Sequence, residues 1–319
     1  MIKFKAPANI ALLKYWGKAD PLLNIPTTST ISMTLDALST TTSVDLESNQ
    51  DVFYLNGHLQ NAQETKKVSD FVDLFRTKAQ RKDYVLIDSH NNFPTAAGLA
   101  SSASGYAALA GALNLFFDLN MNFDELSTYA RRGSGSATRS LHGGFVLWEK
   151  GIDHESSKAH QIDVGDWDIQ MIVILCNQNK KKISSRKLME MTKNESIFYD
   201  AWVQQTNALV DLMKQAVMDH DFSLVGTLAQ QNAWQMHGTI LGNQQPYTYL
   251  QARSFEALEI LQALKNQGIE LYETMDAGPN IKVLVQQKHV FSVLTALQTR
   301  FKENELIVCN VGPPAQEIV

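Results

Sequence analysis

The chain has 319 residues, 44% of them hydrophobic and 19% charged, with a formal net charge of -5. That length suits one large domain or two ordinary ones, and the composition excludes a disordered chain. An acidic balance argues against general nucleic-acid binding, so an enzyme handling anions must gather its cations in one place.

The N-terminus runs directly into the apolar stretch Ala8 to Leu13, which Lys14 ends. It shows no signal-peptide pattern, and no apolar run approaches membrane-spanning length, so a cytoplasmic protein is expected. Ser29 to Leu46 alternates Ser/Thr with apolar residues and reads as antiparallel strands. Val52 to Leu59 reads as a hairpin turning at Asn56-Gly57. An amphipathic helix follows from Lys67 to Ala79, then a short strand from Tyr84 to Asp88. Ser102 to Leu119 reads as a small-residue apolar helix and Gly143 to Trp148 as another strand.

The pattern changes near Asp166, which places a domain boundary there: 1–166 and 167–319. Ile169 to Cys176 reads as a buried strand. Helical patterns cover Glu195 to His220, Phe222 to Leu241 and Leu250 to Gln267. Strands at Glu270 to Met275 and Ile281 to Val285, a helix from His289 to Phe301 and a strand from Glu305 to Cys309 complete the chain. The fold class expected is α+β, with helices packed on mixed or antiparallel sheets. Cys176 and Cys309 each end an apolar run and read as core thiols; no zinc pattern is present.

One segment carries chemistry by its shape. After the strand at Tyr84, Pro94-Thr95-Ala96-Ala97-Gly98-Leu99-Ala100-Ser101-Ser102 forms a small-residue loop opening a helix. Unpaired backbone N–H groups at a helix start attract phosphate, small residues let it approach, and serine hydroxyls add donors or a Mg²⁺ ligand. The Gly-Lys-Ser/Thr ending of a Walker loop is missing, and an N-capped helix alone would explain the segment.

The order Pro94-x-x-x-Gly98-Leu99-x-Ser101-Ser102-Ala103 resembles the nucleotide loop of the GHMP kinases. The segments Ala8 to Lys18, Asn24 to Ser29, Arg132 to Leu141 and Met275 to Asn280 narrow that resemblance to the diphosphomevalonate decarboxylases. Thr138 stands where Cys is common in that family, and His142 where an aromatic is common. The motifs span nearly the whole chain in family order. The resemblance implies a two-domain GHMP kinase-like fold with a deep cleft between the domains, ATP and Mg²⁺ as cofactors, and a homodimer. The implied reaction converts mevalonate 5-diphosphate and ATP to isopentenyl diphosphate, CO₂, ADP and phosphate.

Site residues follow from the same resemblance. Asp276 before Ala-Gly-Pro-Asn would by itself read as a turn residue; the resemblance implies that it faces the substrate's tertiary hydroxyl. Arg139 is implied as the partner of the substrate carboxylate, which a guanidinium grips with two parallel hydrogen bonds. Lys14 joins these two as a catalytic residue. Tyr15, Lys18, Ser134 and Ser136 are implied at the diphosphate and carboxylate. Pro94, Gly98, Leu99, Ala100, Ser101 and Ser102 are expected at the ATP phosphates, with Ser102 also a Mg²⁺ ligand. The basic run from Lys180 to Lys187 is the expected cation cluster, read as a flap from which one lysine and Ser184 or Ser185 reach the nucleotide. Trp16 and His237 read as packing residues. A 3-kinase or a 5-monophosphate decarboxylase could use the same site, and a non-catalytic binding protein of this fold stays as the second class of reading.

Overall fold

The computed structural model describes residues 1–93, 101–177, 179 and 181–318. Two sheets carry the architecture. The larger follows the order Gln316–Glu317, Ile2–Ala11, Thr30–Glu47, Tyr84–Asn91, Val52–Leu55, His58–Leu59, with Phe145–Trp148 and Ala159–Asp163 branching from the long strand. The smaller is four-stranded and antiparallel, in the order Leu271–Met275, Ile281–Val285, Gln170–Ile174, Leu306–Asn310.

The Ser/Thr-apolar alternation forms a single strand of 18 residues, Thr30–Glu47. It serves two neighbours in turn. Thr30 to Met33 pair with Trp148 to Phe145, and Thr40 to Glu47 pair with Asn91 to Tyr84. The register against Ile2–Ala11 shifts between Pro7 and Asn9. A proline cannot donate to the ladder, and an irregularity there bends the sheet. The hairpin turns where expected: Asn56 and Gly57 have φ of 50° and 77°, the left-handed pair that a two-residue turn requires.

Helix Ser101–Phe116 lies on this sheet through Ala103, Ala107, Ala108 and Ala112. The small residues have a steric purpose, since a Cβ on Gly111 would stand 2.2 Å from the Phe4 ring. On the smaller sheet the period of two divides the strands between two cores. Ile172, Ile174, Val283 and Val285 face helices Ala252–Asn266 and Gln287–Leu297. Met171, Val173 and Leu284 face Val225, Leu228 and Ala229 of helix Phe222–Leu241, together with Leu35, Phe145 and Leu147 of the first sheet. A continuous apolar core therefore joins the two halves, and the last strand returns to pair with Ile2–Ala11. This is the α+β architecture expected, with a cleft where the sheets meet.

Several helical segments depart from the sequence reading. The helical pattern from Glu195 to His220 divides into Tyr199–Ala208 and Val210–Met218. Tertiary bonds override the periodicity at that break: Asn207 exchanges hydrogen bonds with the backbone of Thr27 and Ser29, and Thr206 accepts from Asn232. Lys180 of the expected flap lies outside the described residues, and its later part is a helix, Ser185–Glu195, capped by Ser184, whose hydroxyl accepts from the Lys187 N–H at 3.3 Å. A further helix, Phe123–Gly133, begins at Asn122, which accepts from the Glu125 N–H. No described helix is long and apolar enough to cross a membrane.

Candidate active site

A cleft of about 330 Å³ lies between the halves, lined by Lys14, Tyr15, Lys18, Ser102, Ser134, Ser136, Arg139, Lys181, Ser185, Arg186 and Asp276, among others. Each arrives from a different element. Lys14, Tyr15 and Lys18 follow strand Ile2–Ala11 around a bend at Gly17, whose φ of 120° favours glycine. A Cβ there would collide with the Tyr199 hydroxyl, which bonds both Thr27 and the Trp16 carbonyl. Ser134, Ser136 and Arg139 sit on the 3₁₀ segment Gly135–Leu141 or at its cap. Asp276 comes from the turn between strands Leu271–Met275 and Ile281–Val285.

Asp276 is held at both oxygens. Lys14 Nζ meets Oδ1 at 2.8 Å and Lys282 Nζ meets Oδ2 at 3.0 Å. Both lysine side chains are buried, whereas 27% of the Asp276 side chain stays open toward the cleft. Burial opposes the charge on Asp276, but the two ammonium groups outweigh it and hold the carboxyl well below the usual range. Burial also lowers Lys14, to about 8, with Asp276 resisting the fall. Lys14 further donates to the Ala11 carbonyl at 2.8 Å, and its own N–H is held by Asn232. His237 is buried close to Asp276, and burial lowers its pKa to about 4.

Arg139 differs. It is buried, with Nε donating to Asn9 at 3.2 Å, Nη1 donating to Thr30, and the plane lying over Trp148. Among the described residues no carboxylate forms an ion pair with it, and burial lowers its pKa to about 10. Asn9 in turn donates to the Ser136 carbonyl and to Ser140, fixing the segment that carries Arg139. Tyr15 packs tilted against Trp148, ring centroids 4.9 Å apart, and its buried hydroxyl has no partner among the described residues. A Cβ on Gly135 would stand 2.7 Å from the Tyr15 ring, so the glycine lets that ring enter the cleft.

At the other end, Lys18 donates to Asn24 and faces Arg186, with burial lowering it to about 8. Lys181 bonds Ser185 at 3.2 Å, lies over the Tyr249 ring, and is lowered by burial to about 8. Arg132 and Lys193 extend this basic rim outward. Ser102 and Ser134 hydroxyls lie 3.3 Å apart, and Ser134 lies 3.4 Å from Ser136. Pro94, Gly98, Leu99 and Ala100 lie outside the described residues. Ser101, at the helix start, lines a neighbouring cavity with Ser102. Of the two flap serines, Ser184 caps its helix and Ser185 lines the cleft.

Sequence reasoning overlooked Lys282, Asn9 and Arg186. A lone lysine in the apolar strand Ile281–Val285, two residues after Asn280, was the available signal for the first. Asn9 is embedded in an apolar run. Arg186 belongs to the basic run, where nothing in the spacing separated it from its neighbours.

A carboxylate pinned by two lysines, a rim of cations and a row of serine hydroxyls converge in one cleft of an α+β fold, the arrangement a site for an anionic small molecule requires. Comparison with known proteins narrows the class. Residues 6–159 match the family profile of the diphosphomevalonate decarboxylase-like N-terminal domain, and residues 171–316 that of the mevalonate 5-diphosphate decarboxylase C-terminal domain. The chain is 35% identical to the diphosphomevalonate decarboxylase of Candida albicans, over 93% of this chain and 87% of that protein. The mevalonate diphosphate decarboxylase structures from Staphylococcus aureus and Enterococcus faecalis superpose with TM-scores of 0.95 and 0.93. Their identities are 40% and 42%, and they cover 100% and 99% of this chain and 99% and 98% of theirs. Another solved structure, at 43% identity and TM-score 0.94 over 99% of this chain and 98% of that one, holds MVAPP, AMPPCP and magnesium. The chain belongs to the diphosphomevalonate decarboxylase family.

Proposed function

We propose that the chain catalyses the ATP-dependent decarboxylation of mevalonate 5-diphosphate to isopentenyl diphosphate, CO₂, ADP and phosphate. The observation that carries this reading is the pair of opposed sites in one cleft: an ionised Asp276 fixed by two lysines, and a buried Arg139 that forms an ion pair with no carboxylate among the described residues. A buried cation left uncompensated is costly, so it favours an anionic ligand. The substrate carboxylate meets that need, and its diphosphate suits the rim of Lys18, Arg186, Arg132 and Lys193.

The tertiary hydroxyl is a poor leaving group, and phosphorylation makes it a good one. Asp276 accepts the hydroxyl's hydrogen bond and aligns its oxygen with the γ-phosphorus; as the new O–P bond forms and ADP leaves with the bridging oxygen, the hydroxyl proton passes to an oxygen of the transferred phosphoryl group. A carboxylate held so far below its usual range is a weak base, so alignment and charge are its contribution. Phosphoryl transfer asks for little more than that, since bond breaking to the leaving oxygen runs ahead of attack. The C3–O bond then breaks with its electron pair leaving on phosphate. Positive charge grows at C3 and faces Asp276. The electrons of the C1–C2 bond form the alkene as CO₂ departs. Arg139 orients that carboxylate before its charge is lost.

For the nucleotide, we assign the cavity of about 230 Å³ beside Ser101 and Ser102, walled by Phe53, Leu55, Val68, Tyr106 and Leu109, to the base. Mg²⁺ is expected on the ATP phosphates. It needs one or two protein oxygens, and the Ser102 hydroxyl, which lines the cleft 3.3 Å from the Ser134 hydroxyl, would supply one. Bound there it would neutralise charge on the β- and γ-phosphates. The domain division near Asp166 and a homodimer belong to the same reading, and light scattering of the purified protein measures the latter.

The test supplies Mg²⁺-ATP and mevalonate 5-diphosphate labelled at the carboxyl carbon. ADP and labelled CO₂ are expected in equal amounts, with both lost in Asp276→Ala. ADP without CO₂ makes the protein a 3-kinase, and turnover only with the 5-monophosphate moves the substrate assignment.

A further inference from the structure

Lys282 stands in the centre of the second sheet. Its strand, Ile281–Val285, is buried throughout and paired on both sides, to Leu271–Met275 and to Gln170–Ile174. An ammonium group in such a place is expensive unless it is paired. The side chain is fully buried; it pairs with the Asp276 Oδ2 at 3.0 Å and donates to the Asn280 carbonyl at 3.4 Å. Asn280 is itself anchored, its side-chain oxygen accepting from the Cys176 and Asn177 N–H groups. Lys282 is thus tied to the sheet at its base and to the site at its tip.

We propose that Lys282 is a positioning residue: by holding Oδ2 while Lys14 holds Oδ1, it stops the Asp276 carboxylate from rotating and fixes which lone pairs face the reacting hydroxyl. The inference rests on the function proposed above. A carboxylate tethered at one oxygen keeps a soft rotation about Cβ–Cγ. Tethered at both, it offers fixed remaining lone-pair directions to the cleft. Two ammonium groups around one carboxylate also leave a net positive charge beside the phosphates, the sign that phosphoryl transfer favours. The charged and titratable groups facing Asp276 are Lys14 from the first strand's end, Lys282 from the second sheet, Lys181 before the capped helix, Arg139 from the 3₁₀ segment, and the neutral His237 from helix Phe222–Leu241.

Lys282→Met keeps the aliphatic stem and removes the tether. Expected are a fall in kcat of tenfold or more, KM for both substrates within threefold, and an acidic limb of the kcat profile moved up by one pH unit or more. A purely structural lysine would lower the melting temperature and leave that limb in place. Wild-type kcat, or an unmoved limb in a folded variant, overturns the proposal. Should the Met variant melt too early for kinetics, thermal unfolding of Asp276→Asn, Lys282→Met and the double variant decides. The double variant regaining stability that Lys282→Met loses supports the coupling, and additive losses overturn it. If the wild type releases no CO₂, the functional reading fails while this cycle still decides the pairing.

Discussion

The cleft has two cationic regions that solve opposite problems. Around Asp276, the positive charges of Lys14 and Lys282 are consumed inside the protein, on a carboxylate they pin. Around Arg139, Lys18 and Arg186, the charges meet neutral oxygens such as those of Asn9, Thr30 and Asn24, and no ion-pairing carboxylate among the described residues. The first arrangement makes a rigid anion. The second leaves cations whose partners must come from outside. A sequence search for basic residues would count all of them alike; geometry separates those that organise the site from those that bind its ligands.

The largest test of that division is Asp276→Asn. It preserves shape and removes the charge, leaving two ammonium groups unpaired. A loss of ~10²- to 10⁴-fold in kcat is expected, the scale of a positioned acid–base or aligning group, with ADP and CO₂ falling together in a coupled product assay. Persistent ADP with absent CO₂ would place Asp276 in the elimination alone. Next in size is Arg139→Lys, which keeps the charge but not the planar fork. Charge-assisted hydrogen bonds contribute about 1.5–3 kcal/mol, so kcat/KM should fall by roughly 10- to 150-fold. Recovery by the lysine to near wild-type rates would mean that charge alone, not bidentate geometry, is what the substrate reads.

The rim should respond more gently and through binding. Lys18→Met is expected to raise KM for the diphosphate substrate by about tenfold, one charge-assisted bond, while kcat changes little. The same region sets the alkaline limit. Lys18 and Lys181 have pKa values lowered to about 8, so they are protonated below that pH and lose their charge above it. The profile of kcat/KM should therefore fall as pH rises through about 8. In Lys18→Met that limb should become shallower, because one of the titrating cations is gone. An unchanged limb would assign it to Lys181 or to Lys14, which burial also lowers to about 8.

Legibility in the sequence followed the range of the interactions. The Asn56-Gly57 hairpin and helix Phe222–Leu241 were readable because turn chemistry and helical period are local signals. Helices Ser185–Glu195 and Phe123–Gly133 had local signals too, a Ser184 cap and an Asn122-x-x-Glu125 pattern, that the reading passed over in favour of charge and glycine content. The division of the 195–220 pattern was not readable, since it depends on Asn207 and Asn232 meeting partners far along the chain. Asp276, Arg139 and Lys14 were found by resemblance. Their division of labour was not, because the Lys14–Asp276 contact joins residues separated by 262 positions.

The smallest effect sharpens the reading of the flap. Ser184 and Ser185 are adjacent and chemically identical, and the sequence offered either as a nucleotide contact. Their surroundings differ: Ser184 spends its hydroxyl on the Lys187 N–H at the helix start, whereas Ser185 faces the cleft and accepts from Lys181. Ser184→Ala should therefore cost about 1 kcal/mol of stability, the usual value of an N-cap, and leave KM for ATP within twofold. Ser185→Ala should spare the melting temperature and raise KM for ATP by a fewfold factor, since Lys181 loses the partner that steadies it. Thermal melts and ATP titrations on the two variants check both at once. The reverse pattern would mean that the cap opens when nucleotide binds, and that Ser184 leaves its helix to meet the phosphates.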